Sequence, residues 1–126
     1  LEELYKKLVF NVIFCNRDDH LKNHSFIYNE EKDSWNLSPA YDLTYSLNPI
    51  KNFSKENRAL SINGKRTSVS KNDLLKIADN YTVKNANRIV ENTITAVDYW
   101  KESVKNLGIP NNIIDNILND INNWDK

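Results

Sequence analysis

The apolar positions of the first fifteen residues recur with helical spacing. Leu4, Leu8 and Val12 fall on one stripe and Tyr5 and Val9 on the next, so Leu1 to Cys15 is predicted as a helix. Glu2 and Glu3 sit near the positive end of its dipole. Its second half is apolar nearly all round, which predicts burial on several sides. Asn16 to His24 follows as a polar stretch with Leu21 as its only aliphatic residue, a loop mounted on a buried helix. Ser25–Tyr28 and Ser34–Leu37 read as two short strands around the charged turn Asn29–Asp33. Pro39 breaks the second strand, Ala40 to Lys55 is irregular, and Asn48-Pro49 marks a turn within it. Ala59–Ile62, Asn63-Gly64 and Lys65–Val69 predict a second hairpin, because Asn and Gly both accept the positive φ of a type I′ turn.

The remainder is patterned as helix. Ser70 and Asp73 resemble a capping box that opens Lys71–Asn80. Thr82 is placed as the cap of a long helix over Val83 to Leu107, with Ala86, Ile89, Val90, Ile94, Val97, Tyr99, Trp100 and Val104 on its apolar stripe. Gly108 ends that helix and Pro110 starts the last one, which carries Ile113, Ile114, Ile117, Leu118, Ile121 and Trp124. Trp100 and Trp124 are both read as core. The predicted fold is mainly α with two short β-hairpins, in one domain spanning 1–126.

Composition narrows the functions open to such a domain. Seventeen basic and 17 acidic side chains cancel, which argues against a general binder of nucleic acid or anionic membrane. Apolar residues make up 40% of the chain, enough for a packed core. The longest apolar run, Leu8 to Cys15, is far shorter than the roughly 20 residues of a membrane span, and it lacks the flanks of a signal peptide. Two glycines leave no glycine-rich loop to cradle phosphate. Cys15 alone makes neither an internal disulfide nor a zinc site; it is read as a small buried side chain, in keeping with a reducing cytoplasm. The chain has no methionine and opens on Leu1 in mid-pattern, which reads as an excised or processed piece of a longer protein.

The candidate chemistry lies in Asn16-Arg17-Asp18-Asp19-His20-Leu21-Lys22-Asn23-His24 and in Tyr41-Asp42-Leu43. An Asp five residues before an Asn on a short loop places a carboxylate and an amide oxygen on one side of a pocket. A second Asp, returned by the intervening hairpin, completes a hard-oxygen site of the kind Mg²⁺ prefers. Lys22 supplies a mobile positive charge suited to a developing phosphoryl charge. This set fits phosphoryl transfer. The plainer alternatives are that Asp18 and Asn23 cap adjacent elements, that Asp42 is a turn residue, and that His20 and His24, four apart, share a metal. Asp19 is read as solvated.

Asp18-x-x-x-x-Asn23 reproduces the D-x-x-x-x-N spacing of the protein-kinase catalytic loop, and Asp42 stands where kinases carry the Asp of D-F-G. More specifically, Asn16 to His24 followed by Leu37-Ser-Pro-Ala-Tyr-Asp-Leu43 resembles the HipA family of bacterial toxin kinases. Leu60-Ser-Ile-Asn-Gly-Lys65 and the short helix after it resemble the C-terminal region of that family. The resemblance implies the C-terminal lobe of a serine/threonine kinase that uses ATP and Mg²⁺. It makes Asp18 the catalytic Asp that accepts or orients the substrate hydroxyl, Asn23 and Asp42 the Mg²⁺ ligands, and His20 and Lys22 neighbours of the nucleotide. It gives Asp19 no catalytic role, since some members carry Gly there. It further implies an N-terminal ATP-binding lobe absent from 1–126, a protein substrate such as an aminoacyl-tRNA synthetase, and a DNA-binding antitoxin as partner. Two other readings stay open: a metal-dependent phosphoesterase built on Asp18, Asp19, His20, His24 and Asp42, and a non-catalytic helical interaction module.

Overall fold

A computed structural model describes residues 1–47 and 57–126, so the predicted turn at Asn48-Pro49 lies outside the described residues. Helix α1 runs Glu2–Ile13, with its two glutamates in the first turn and Tyr5, Val9, Val12 and Ile13 buried. Strands β1 (Phe26–Asn29) and β2 (Ser34–Leu37) pair antiparallel, Phe26 opposite Leu37 and Asn29 opposite Ser34. The chain closes with α2 (Lys71–Asn80), α3 (Ala86–Val104) and α4 (Asn111–Asn122). Helix α3 is the spine: α1, α2 and α4 each pack against it. Tyr5, Val9, Val12 and Ile13 of α1 meet Leu74 and Ala78 of α2, Ile89, Val90 and Val97 of α3, and Ile121 of α4. Trp100 and Trp124 pack at the edge of this cluster, as their helical spacing predicted. Among the described residues no helix is long and apolar enough to cross a membrane.

Three local expectations are revised. The second hairpin shrinks to one bridge, Ile62 to Lys65, across Asn63 (φ 49°) and Gly64 (φ 76°). The turn forms as its residues dictate, but the strand before it is spent elsewhere, because the Ala59 N–H donates to the Arg17 carbonyl at 2.9 Å. Thr82 does not cap the long helix. It takes a left-handed φ of 55° and closes α2: its N–H donates to the Asp79 carbonyl and the Val83 N–H to the Ala78 carbonyl, the paired bonds of a Schellman motif. Helix α3 therefore starts later, at Ala86, after a left-handed Asn85. Tyr99, predicted on the apolar stripe, is exposed. The capping box does form, with the Asp73 N–H donating to the Ser70 hydroxyl and the Ser70 N–H to the Asp73 carboxylate.

Candidate active site

Helix α1 delivers the polar loop through Cys15, whose φ of 55° turns the chain out of the helix. Asn16, buried at the head of the loop, uses its whole amide. Its Nδ2 donates to Asn11 Oδ1 of α1 at 3.0 Å and to the Asp42 carbonyl at 3.1 Å, while its Oδ1 accepts from the Ser46 hydroxyl at 3.0 Å. The Ser46 oxygen in turn accepts the N–H groups of Arg17 (2.8 Å) and Asp18 (3.1 Å). One asparagine thus joins the helix, the loop and the segment after β2, each buried polar atom finding a partner.

Asp18 follows with its main chain held and its side chain 65% exposed. His20 stands nearby, Nε2 3.9 Å from Asp18 Oδ1. A 3₁₀ turn over Leu21–Asn23 then folds the chain back, so that the buried Asn23 amide donates to the Asp18 carbonyl at 2.9 Å. That bond fixes the amide and makes Oδ1 its remaining acceptor. Lys22, on the same turn, is exposed.

Asp42 is exposed and held at a left-handed φ of 54°, a conformation Asp tolerates better than most residues. Its neighbour Tyr41 reaches the loop directly: the phenol donates to the Lys22 carbonyl at 2.8 Å and lies 2.6 Å from the Ser25 hydroxyl. Lys7 of α1 completes the arrangement. Its buried ammonium donates to the Asn23 carbonyl and sits 5.0 Å from the centre of the Tyr41 ring. Burial lowers its pKa, and the Asp42 carboxylate acts against that shift. The structure therefore gathers Asp18, His20, Lys22, Asn23 and Asp42 around one loop. The Asn23 amide is bonded to the Asp18 carbonyl, and the Asp42 main chain is tied in through Asn16 and through its neighbour Tyr41.

Asp19 overturns the expectation that it is solvated. It is 3% exposed, and its Oδ2 accepts from Arg58 Nη2, itself 2% exposed, at 2.7 Å. Adjacent residues of the loop thus have opposite surroundings, Asp18 in solvent and Asp19 in the protein. The five-residue metal cluster that a phosphoesterase would need is accordingly not assembled. Among the described residues no three His, Cys, Asp or Glu side chains lie close enough to share a metal. Asn16, Ser46, Lys7 and Arg58 were not singled out from the sequence. One of them left a trace there: Lys7, like Asn11, the partner of Asn16, is a polar residue inside a helix otherwise buried on that side.

With this geometry in view, the comparisons give the class. Residues 1–102 match the HipA-like C-terminal domain, and the chain belongs to that family. It is also similar to a protein of Sinorhizobium fredii named putative kinase Y4dM, at 31% identity over 121 residues. That alignment covers 91% of this chain and 29% of the relative, so the chain spans less than a third of the relative's length.

Proposed function

We propose that this domain carries the catalytic loop of a HipA-family serine/threonine kinase and that the full-length protein moves the γ-phosphoryl group of ATP to a protein hydroxyl. The observation that carries the reading is the loop itself: an exposed Asp18 carboxylate on an immobilised backbone, with the Asn23 amide bonded to the Asp18 main-chain carbonyl and the Asp42 main-chain carbonyl held by Asn16 of the same loop. In this reading Asp18 orients the substrate hydroxyl and accepts its proton. Asn23 Oδ1 and the Asp42 carboxylate suit Mg²⁺, which favours one or two protein oxygens and leaves its other positions to phosphates and water. Bound with ATP, the ion would neutralise charge on the phosphates. His20 and Lys22 face the nucleotide in the same scheme. The resemblance extends the proposal to a protein substrate of the aminoacyl-tRNA synthetase kind and to a DNA-binding antitoxin.

The test uses the full-length protein. Asp18→Asn keeps shape and removes the proton acceptor, so phosphoryl transfer falls by roughly 10²–10⁴ while affinity for ATP with Mg²⁺ stays within about twofold. Asp42→Asn weakens nucleotide binding and turnover together. Turnover that survives Asp18→Asn undiminished overturns the reading.

A further inference from the structure

The loop that bears Asp18 is gripped from two sides. Ser46 takes the N–H groups of Arg17 and Asp18 on one side. The stretch Arg58 to Leu60 takes the other: Arg58 Nη2 donates to the Asn16 carbonyl at 2.9 Å, the Ala59 N–H to the Arg17 carbonyl at 2.9 Å, and the Leu60 N–H to Asp19 Oδ1 at 3.3 Å. At the centre of this second grip lies the buried ion pair of Arg58 with Asp19.

Stability alone is a poor account of that pair. Two charges are withdrawn from water, a cost their attraction repays only when every remaining donor is satisfied. Here Nη2 makes both bonds to the loop, while Nε is buried with no hydrogen-bond partner among the described residues. An apolar pair of similar volume would avoid both penalties. What apolar side chains cannot do is hold a main-chain carbonyl and the side chain three residues on with the two N–H groups of one nitrogen, aimed by a rigid planar guanidinium.

We propose that Asp19 and Arg58 are positioning residues, whose buried pair holds the loop so that the neighbouring Asp18 presents its carboxylate to the substrate hydroxyl. This rests on the kinase reading of Asp18. The two aspartates divide the labour, one reacting and the other anchoring.

Three variants of the full-length protein test this beside Asp18→Asn: Asp19→Asn, Arg58→Lys, and the double variant Asp19→Leu with Arg58→Met. Asp19→Asn leaves Arg58 buried and unpaired, so Tm and turnover both fall. The double variant removes both charges, and its Tm returns toward that of the wild type. Its kcat stays roughly 10- to 100-fold down, the effect of a displaced reacting group, with KM for ATP within twofold. Arg58→Lys keeps the charge but replaces the rigid planar guanidinium with an ammonium on a flexible stem, so kcat drops with a smaller loss of Tm; it also serves should the double variant fail to fold. Full turnover in Arg58→Lys, or recovery of turnover in step with Tm in the double variant, overturns the positioning role while Asp18→Asn still abolishes activity. Turnover indifferent to Asp18→Asn overturns the kinase reading, and the positioning role falls with it.

Discussion

The side-chain amide of Asn23 donates to the main-chain carbonyl of Asp18 across 2.9 Å, so one residue closes the turn and offers an oxygen to the site. The same residue's own carbonyl receives the Lys7 ammonium, which ties the turn to α1.

Asn23→Ala therefore does two kinds of damage. It removes a buried donor and leaves the Asp18 carbonyl short of a partner, a loss of about 1–2 kcal/mol in urea unfolding. It also removes the proposed metal oxygen, so affinity for ATP with Mg²⁺ falls in the full-length protein. Asn23→Asp is the sharper comparison. It retains an oxygen for the ion but cannot donate to the Asp18 carbonyl when ionised, so added Mg²⁺ recovers part of the nucleotide affinity but not the unfolding midpoint. Calorimetry and denaturation on both variants check this.

Cys15 is buried, and burial pushes its thiol up to about 11. Only thiolate attacks a disulfide reagent, so at pH 8 the native thiol reacts at least a hundredfold more slowly than the same residue in urea. Timed labelling with a chromogenic disulfide checks this. Native labelling as fast as in urea would mean that the segment linking α1 to the loop opens freely.

Asp73 gives the fold a pH dependence. Lys65 beside it, with the N–H of Ser70 and the amide of Asn63, holds its carboxyl well below the usual carboxylate range. A carboxyl depressed on folding stabilises above its unfolded pKa of 3.8 and loses that contribution as the pH falls below it. Asp73→Ala should cost roughly 1–2 kcal/mol at pH 7, the range of a lost helix cap, and progressively less below pH 4. Thermal melts of both proteins across that range supply the measurement.

Residues 1–126 hold two glycines and no glycine-rich phosphate loop. By themselves they should bind ATP with Mg²⁺ weakly and phosphorylate nothing measurable. Titration calorimetry reads this, and a low-micromolar dissociation constant would show that the loop and Asp42 suffice for binding.

What was legible in the chain was mostly local. The α1 pattern, the strand pair around Asn29–Asp33 and the capping box at Ser70 depend on residues within a few positions of one another, and all three form. Thr82 misled because a threonine before an apolar stripe suits a cap, whereas the Val83 N–H was already committed to the end of α2. The loop and its family were readable from Asp18, Asn23 and Asp42. The environment of Asp19 was not, since its partner lies 39 residues later, beyond any helical or strand spacing. Lys7 was hidden for the same reason, its acceptor being 16 residues away.

Asp18 and Asp19 are the same amino acid with opposite surroundings, and their histories should differ accordingly. In the proposed reaction Asp18 answers to the substrate hydroxyl and has no substitute on its loop. Asp19 answers to Arg58, and changing both together spares the fold but not the turnover. The intermediate step, one charge gone and its mate still buried, is the unfavourable one. Among descendants of this chain, positions 19 and 58 should therefore change together or not at all, and a lineage that crosses that valley should keep the fold while losing turnover.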